Sequence, residues 1–215
     1  KGGEGRASGV LPVMKLLEDV FSYANQLGQR PGAGAVYLNV FHSDIEEFLD
    51  CKKINVDEKV RIKSLSIGVV VPDKFMELAE KDEPFYVFYP HTVYQAYGQY
   101  LDEMDINEMY TELIDNPKVR KKKLNARMML VKIAQTQKES GYPYLFFKDN
   151  ANRGHALKDI GEVKFSNLCT EIMQLSEVSE INDYYEEDVI RRGISCNLGS
   201  LNIVTVMDNK RIKEA

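Results

Sequence analysis

Helix and strand signals alternate along this chain, and that alternation constrains its fold more than any other feature. Apolar residues recur at helical spacing over 10–27, Gly28 ends the pattern, and a strand-like segment follows over 35–40. Leu65, Ile67, Val69 and Val71 alternate with Ser64, Ser66 and Gly68, as in a β-strand. The remaining segments are helix-like after Pro90 and over 125–138, and strand-like over 85–89 and 144–147. Because helices that alternate with strands pack outside a sheet, the pattern predicts the α/β class.

Composition argues against several classes of protein. The 215 residues are 44% hydrophobic, which suits one globular domain or part of a larger one. A formal net charge of −5 argues against a nucleic-acid partner, and no run approaches the ~18 apolar residues of a membrane span. Three cysteines in a chain of this length favour a reducing compartment over a disulfide framework. We therefore expect a cytoplasmic protein that binds neither nucleic acid nor a membrane.

Three polar residues occupy alternate positions. Asn167, Cys169 and Glu171 would line one face of an extended backbone, because side chains at i, i+2 and i+4 point to the same side. An amide to orient, a sulfur to react and a carboxylate to move a proton form a set suited to catalysis. A second thiol, Cys196, could return beside the first through a strand-loop-strand connection.

The same residues have an ordinary structural interpretation. A lone Cys in an apolar setting is usually a small core side chain, and an Asn and a Glu near it are common on protein surfaces. The alternation alone does not separate the two interpretations. The sequence around the two thiols does.

Five segments carry a family resemblance, namely residues 21–39, 57–73, 139–144, 166–171 and 194–202. The last two contain SNLCTE and ISCNLGSLN. Together the segments resemble the large, catalytic subunit of aerobic class I ribonucleotide reductases, most closely the bacterial class Ib form. The family fold is a ten-stranded α/β barrel with the radical Cys on a central finger loop. The resemblance therefore implies that the chain is part of this barrel.

The resemblance also assigns regions and partners. Residues 1–215 would be a partial catalytic barrel domain, with a dimer and specificity-loop region over 10–40 and the finger loop with a second redox Cys over 160–205. The radical would come from a dimetal (Fe or Mn) centre on a small beta subunit, with no cofactor or metal on this chain. Further expected partners are a second alpha subunit, a thioredoxin-like or glutaredoxin-like dithiol, and dNTP or ATP effectors.

The implied reaction converts ribonucleoside diphosphates to 2′-deoxyribonucleoside diphosphates for DNA precursor synthesis. Cys169 matches the transient thiyl radical that removes the 3′ hydrogen, and Glu171 matches the carboxylate that takes the 3′ hydroxyl proton. Cys196 matches one of the two thiols that end as a disulfide. We predict a Cys169 sulfur shielded between oxygen-bearing groups, beside a cavity sized for a sugar. Substrate contacts would come from Asn167, Leu168, Cys169, Thr170 and Glu171.

The loop between the first helix and strand is the second candidate site. On pattern alone it is a helix-to-strand connection in which glycines permit close approach and Arg30 can donate to an anion. The resemblance implies the loop that links a bound effector to substrate choice, with Gln29 and Arg30 as its readers, although Pro31 stands where many members carry a polar residue. The preceding helix would lie at a dimer interface, but its apolar stripe could equally face its own core. The loop residues are Gln29, Arg30, Gly32, Ala33 and Gly34.

Several family features lie outside this sequence, including the first reducing Cys, the phosphate-gripping loop, the relay tyrosines and the mobile tail. We interpret Cys51 as structural and the basic run over 118–123 as a solvated helix face. We expect the fragment alone to be inactive. Two alternatives stay open: a non-catalytic effector-binding or dimerisation fragment of a split subunit, and a cysteine-nucleophile enzyme that uses Cys169 with His155.

Overall fold

The computed structural model describes residues 8–25, 27–208 and 213. Those residues divide into two compact units, one within 1–174 and one within 175–215. The described elements, in chain order, are α1 (Leu11–Tyr23), β1 (Ala35–Asn39), α2 (Ile45–Asp50), β2 (Ser66–Val71), α3 (Asp73–Glu80), β3 (Pro84–Phe88), α4 (Pro90–Tyr97), α5 (Ile106–Asp115), β4 (Lys121–Asn125), α6 (Ala126–Ser140), β5 (Tyr144–Phe147), α7 (Lys148–Gly154) and α8 (Ile203–Asp208).

A three-stranded parallel sheet organises the first unit, with β2 between β1 and β5. In its register Tyr37 pairs with Gly68, and Gly68 pairs with Tyr144. Parallel neighbours require long crossover connections, and helices supply them here on both sides of β2. All six residues of β2 are buried, as expected for a central strand with both faces covered.

The main hydrophobic core lies on one face of this sheet. Ile67 and Val69 of β2 contribute to it together with residues of the surrounding helices. Its centre is aromatic: the Phe41 and Phe85 rings meet edge to face with centroids 5.8 Å apart, and Phe75 lies 5.3 Å from Phe85 in the same geometry. Burying each large apolar side chain contributes roughly 1.5–3 kcal/mol, so this cluster is the principal source of stability in the first unit.

The opposite face of the sheet carries a smaller cluster. Val70 and Phe146 pack there against Val163, which lies in the irregular segment after α7. The Asn152 side chain fixes that segment, since its Nδ2 donates to the Val163 carbonyl at 2.9 Å and its Oδ1 accepts from the Val163 amide at 2.7 Å. The segment that leads to residue 166 therefore approaches the sheet from the side opposite the main core.

The structure confirms the predicted α/β class. The four predicted strands correspond to β1, β2, β3 and β5, and the predicted helices after Pro90 and over 125–138 correspond to α4 and α6. The first helix ends at Tyr23, earlier than predicted, and Gln26 lies outside the described residues. Among the described residues, no helix combines the length and the apolar character needed to cross a bilayer.

The interpretation of the basic run as a helix face was wrong. Lys121–Asn125 forms β4, which pairs antiparallel with β3. Charged residues are depleted in strands, but pairing with an apolar neighbour can override that preference. The run also has specific partners: Lys121 Nζ donates to the carbonyl oxygen of Asn116 at 3.0 Å, just after α5, and Lys122 forms an ion pair with Glu46.

Candidate functional site

Three of the candidate catalytic residues, Asn167, Cys169 and Glu171, lie in a tight turn, so the prediction of an extended backbone over them was wrong. The Asn167 Oδ1 accepts from the backbone amides of Glu171 at 3.1 Å and Ile172 at 3.2 Å. The amide of Thr170 donates to the Asn167 carbonyl at 3.3 Å, and Thr170 has a left-handed φ of 65°. An Asn side chain that bonds the backbone ahead of it favours such a turn over a strand.

The turn brings the amide and the carboxylate together. Asn167 Nδ2 donates to Glu171 Oε1 at 2.8 Å, with Cys169 between them in sequence. In an extended strand these two side chains would be four residues apart along the chain axis, whereas the turn folds one onto the other. The amide can therefore orient the carboxylate that the sequence assigns to proton transfer.

Cys169 is an exposed residue. The prediction of a shielded thiol was therefore wrong for the part of the chain that the structure describes. The physical reason is the turn, which puts residue 169 at its tip while Ser166 at its base is buried. A thiolate at this position would still act electrostatically on the sheet. Burial is the main cause that raises the pKa values of Tyr37 and Tyr144, and the negative charge of Cys169 is a smaller cause in the same direction.

A cavity of about 370 Å³ lies beside the same face of the sheet. Tyr37 of β1 lines it and also contacts the turn, since the tyrosine hydroxyl lies 2.7 Å from both the Asn167 carbonyl oxygen and the Thr170 Oγ1. The sequence alone does not identify Tyr37 as part of the site, because its link to the turn joins positions distant in the chain. Its other lining residues include Asn39, Val70, Lys148, Lys164 and Phe165.

The other two cysteines have different settings. Cys51 is fully buried, its Sγ donates to the Phe48 carbonyl oxygen at 3.0 Å, and burial raises its pKa to about 12. The interpretation of Cys51 as structural is confirmed. Cys196 lies in the second unit, in an exposed irregular stretch before α8. Its redox role stays a prediction.

The loop over residues 29–34 is largely exposed and rests on α1. A Cβ added at Gly34 would lie 2.1 Å from the Phe21 ring, and one at Gly32 would lie 2.3 Å from the Phe21 carbonyl oxygen. Glycine is therefore required for the loop to lie this close to the helix. The Gly34 carbonyl then accepts from Ser66 at 3.0 Å, at the start of the β1–β2 pairing. The effector-loop roles predicted for Gln29, Arg30, Gly32, Ala33 and Gly34 stay predictions.

Helix α1 has two apolar faces. Met14 is buried in the main core and Phe21 packs against that core. A second set of apolar side chains on the same helix is exposed, and its members are Val13, Leu16, Val20 and Tyr23. The two interpretations of the helix are therefore compatible, since one face covers its own core and the other is open to a partner.

A buried carboxylate fastens α1 to the start of β2. Glu18 is 6% exposed, and its Oε1 accepts from the backbone amides of Lys63 at 2.7 Å and Ser64 at 2.5 Å. Its Oε2 pairs with Lys15 Nζ at 2.9 Å. Among the described residues, no three His, Cys, Asp or Glu side chains are grouped in a way that could hold a metal ion.

Comparison with known families matches residues 1–215 to the family described as "Ribonucleotide reductase, barrel domain". The chain is 59% identical over 214 residues to "Ribonucleoside-diphosphate reductase subunit alpha" of Bacillus subtilis, covering 100% of this chain and 31% of that protein. A protein of the same name from Mycoplasma genitalium is 48% identical over 206 residues, with 96% and 28% covered. One from Helicobacter pylori is 38% identical over 176 residues, with 80% and 22% covered. The chain thus spans less than a third of the length of these curated relatives.

Proposed function

We propose that this chain, which belongs to the ribonucleotide reductase barrel-domain family, is the segment of an alpha subunit that holds the radical thiol against the ribose of a ribonucleoside diphosphate. The observation that carries the proposal is the turn over 167–171. In this turn Asn167 and Glu171, which flank Cys169 in the sequence, are joined by a hydrogen bond of 2.8 Å. The reaction needs one group that takes the hydrogen atom from the ribose 3′ carbon and another that takes the proton from the hydroxyl on that carbon. The turn offers both within one short segment.

Each residue has a role that its chemistry suits. A thiyl radical at Cys169 removes the hydrogen atom from the ribose 3′ carbon and becomes a thiol, while Glu171 accepts the proton of the 3′ hydroxyl. Asn167 orients that carboxylate through its Nδ2 and fixes its own position through two backbone amides. We assign Leu168 and Thr170 to the substrate-facing surface of the same turn.

Reduction of the 2′ carbon requires two electrons. We assign Cys196 as one of two thiols that supply them. One thiol hydrogen leaves with the 2′ hydroxyl as water, the other ends on the 2′ carbon, and the two sulfurs close a disulfide. The 3′ hydrogen atom then returns from Cys169, which becomes the radical again. A thioredoxin-like or glutaredoxin-like dithiol then restores the thiols by exchange. The oxidising radical is supplied by a dimetal centre on a small beta subunit.

The exposed Cys169 sets a condition on the complete enzyme. A thiyl radical in contact with water and solutes would be lost to side reactions, so a working site must exclude them. We expect the thiol to be covered in the complete alpha subunit with substrate bound, and to react with alkylating agents much more slowly than in the isolated chain.

The test uses the complete alpha subunit with its beta partner and reductant. Cys169→Ser should abolish deoxynucleotide formation while substrate binding, measured by equilibrium dialysis, is retained. Cys51→Ala is the matched control, because it removes a buried thiol with no proposed part in the chemistry, and it should keep turnover. Retained turnover in Cys169→Ser would rule the proposal out.

One observation favours a second function for the amino-terminal region, effector binding at a dimer interface. The exposed apolar residues of α1 form a stripe, and the loop over 29–34 lies against the same helix. We propose that two copies pair through this stripe and that a dNTP or ATP effector binds beside the loop, where Gln29 and Arg30 read it. Leu16→Glu should weaken nucleotide-dependent association in sedimentation, whereas Met128→Glu, at another exposed apolar side chain on α6, should not.

This second function could also stand without the first. A non-catalytic fragment of a split subunit would show nucleotide-dependent association, yet would restore no deoxynucleotide formation when mixed with the remaining fragments. Restored formation on mixing would instead support the catalytic segment. The two outcomes separate the catalytic and non-catalytic proposals.

A further inference from the structure

The Tyr37 hydroxyl joins the turn over 167–171 to the parallel sheet through two hydrogen bonds. It donates to the Asn167 carbonyl oxygen at 2.7 Å, and the Thr170 Oγ1 lies 2.7 Å from the same phenol oxygen. Tyr37 is in the middle of β1, 130 residues before Asn167 in the chain. The two bonds therefore join the first and the last parts of the first unit.

The directions of these two hydrogen bonds follow from the number of hydrogens that each group can donate. A phenol has one hydrogen, and a carbonyl oxygen can only accept, so that hydrogen goes to the Asn167 carbonyl. Thr170 must then donate its hydroxyl hydrogen to the phenol oxygen. Burial raises the pKa of Tyr37 above its usual value, so the phenol keeps the required hydrogen at neutral pH.

The ring is held by its neighbours on the sheet. A Cβ added at Gly68, its register partner on β2, would lie 2.3 Å from the Tyr37 Cε1 and 2.5 Å from its Cδ1. Glycine at this position is what allows the ring to lie over the adjacent strand. Phe165 stacks on the ring with centroids 6.2 Å apart, and Phe146 meets its edge at 6.3 Å. The ring is thus confined on three sides.

We propose that Tyr37 is a positioning residue for the radical-thiol turn, and that Gly68 is the residue that gives its ring room to reach it. The inference rests on the proposed function, and it adds a residue that neither the alternating pattern nor the thiols identify. Tyr37 acts through the backbone of Asn167 and the side chain of Thr170, one residue on each side of the 168–169 tip. By holding both ends it fixes where the sulfur and the Glu171 carboxylate lie relative to the sheet.

The test uses the complete alpha subunit with its beta partner. Tyr37→Phe removes the hydroxyl and keeps the ring. Tyr97→Phe is the matched control, since it removes a hydroxyl whose partner among the described residues is the Asn116 side chain, at 3.0 Å and away from the turn. Hydrogen–deuterium exchange of the peptide over 166–173 reads the turn directly, and steady-state kinetics read the chemistry.

We expect Tyr37→Phe to speed exchange in that peptide by about tenfold, because two hydrogen bonds to the turn are lost. The kcat for deoxynucleotide formation should fall about tenfold while KM stays within about twofold, since misplacing a reacting group costs turnover more than binding. Tyr97→Phe should change neither. Gly68→Ala, which displaces the ring, should reproduce the exchange result.

Three outcomes overturn the inference. Unchanged exchange in Tyr37→Phe would show that the hydroxyl does not fix the turn, and faster exchange with unchanged kcat would show that its fixation is not needed for chemistry. Both are distinct from failure of the proposed function, which would appear as full turnover in Cys169→Ser. An equal fall in kcat in both Tyr→Phe variants would also overturn it, because the effect would then be general.

Discussion

Glu18 on α1 is joined to Ser64, just before β2, by two hydrogen bonds to one carboxylate oxygen. The Glu18 Oε1 accepts from the Ser64 backbone amide at 2.5 Å and from its side-chain hydroxyl at 3.0 Å. The same oxygen accepts from the amides of the residues on either side of Ser64. The carboxylate therefore occupies an anion nest made by the chain as it enters the central strand, and it fixes α1 to the sheet.

The first prediction concerns this carboxylate. Glu18→Gln keeps the shape of the side chain but removes its charge, and charge-assisted hydrogen bonds are about twice as strong as neutral ones. We expect the free energy of unfolding to fall by on the order of 2 kcal/mol. Glu77→Gln, which breaks the exposed ion pair with Lys74, is the control and should change stability little. Equal shifts in the urea midpoints of the two variants would contradict the assignment.

The pH dependence of stability provides the second prediction. Burial alone would raise the pKa of Glu18, but the Lys15 ion pair and the hydrogen bonds from Ser64 and Leu65 outweigh it and lower the pKa from 4.5 to about 2. A lowered folded-state pKa means that the contribution is complete above pH 4.5 and disappears as the pH falls toward 2. The stability gap between the wild-type chain and Glu18→Gln should therefore close over that interval. A gap that stays constant in urea titrations down to pH 2 would contradict it.

How much of this structure the sequence predicts depends on whether the signal is local. The alternating residues of β2 identify a strand because their period is set by the backbone itself. Lys121–Lys123 lie in a strand against their local preference, since the pairing of β4 with β3 is a tertiary effect that overrides it. The spacing of Asn167 and Glu171 fits both a strand and a turn, so it does not predict the backbone conformation between them.

Cross-strand relationships could not be predicted from one sequence. Gly68 looks like a small residue in a strand, and only the register opposite Tyr37 explains why it has no side chain. The contact between Tyr37 and the turn likewise depends on how the chain returns to the sheet. Residue types and their local spacing identified the candidate site, whereas the residues that support it became visible only from the fold.

The third prediction concerns the amide at the turn. Asn167→Ala in the complete subunit removes the donor to Glu171 and the acceptor of two backbone amides, so the carboxylate loses its orientation. We expect kcat to fall by about 10²-fold, the lower end of what a positioned proton acceptor contributes. Asn116→Ala, at an Asn whose side chain bonds Tyr97 away from the turn, is the control. A kcat unchanged from the wild-type value in Asn167→Ala would remove Asn167 from the proposed site.

The fourth prediction concerns the approach of the 29–34 loop to α1. Gly34→Ala places a methyl group 2.1 Å from a Phe21 ring carbon, so the loop or the ring must move. We expect a loss of about 1–3 kcal/mol of stability, typical of overpacking, together with a weaker response to nucleotide effectors. Gly154→Ala is the control, because a Cβ there meets no atom within 4 Å. If both variants unfolded at the same urea concentration, the close packing of this loop would not matter.

The fifth prediction separates the thiols by their chemistry. Only a thiolate reacts rapidly with iodoacetamide, and burial raises the pKa of Cys51 to about 12, so this thiol stays protonated and inaccessible at pH 8. Cys169 is exposed and should be labelled in the folded chain. Mass spectrometry of digests should find label at Cys169 within minutes and at Cys51 only after unfolding in urea. In the complete subunit, substrate should slow labelling of Cys169 and leave Cys51 unlabelled, as required if the ribose covers the sulfur. Labelling of Cys169 at the same rate with and without bound substrate would place the reacting sugar elsewhere.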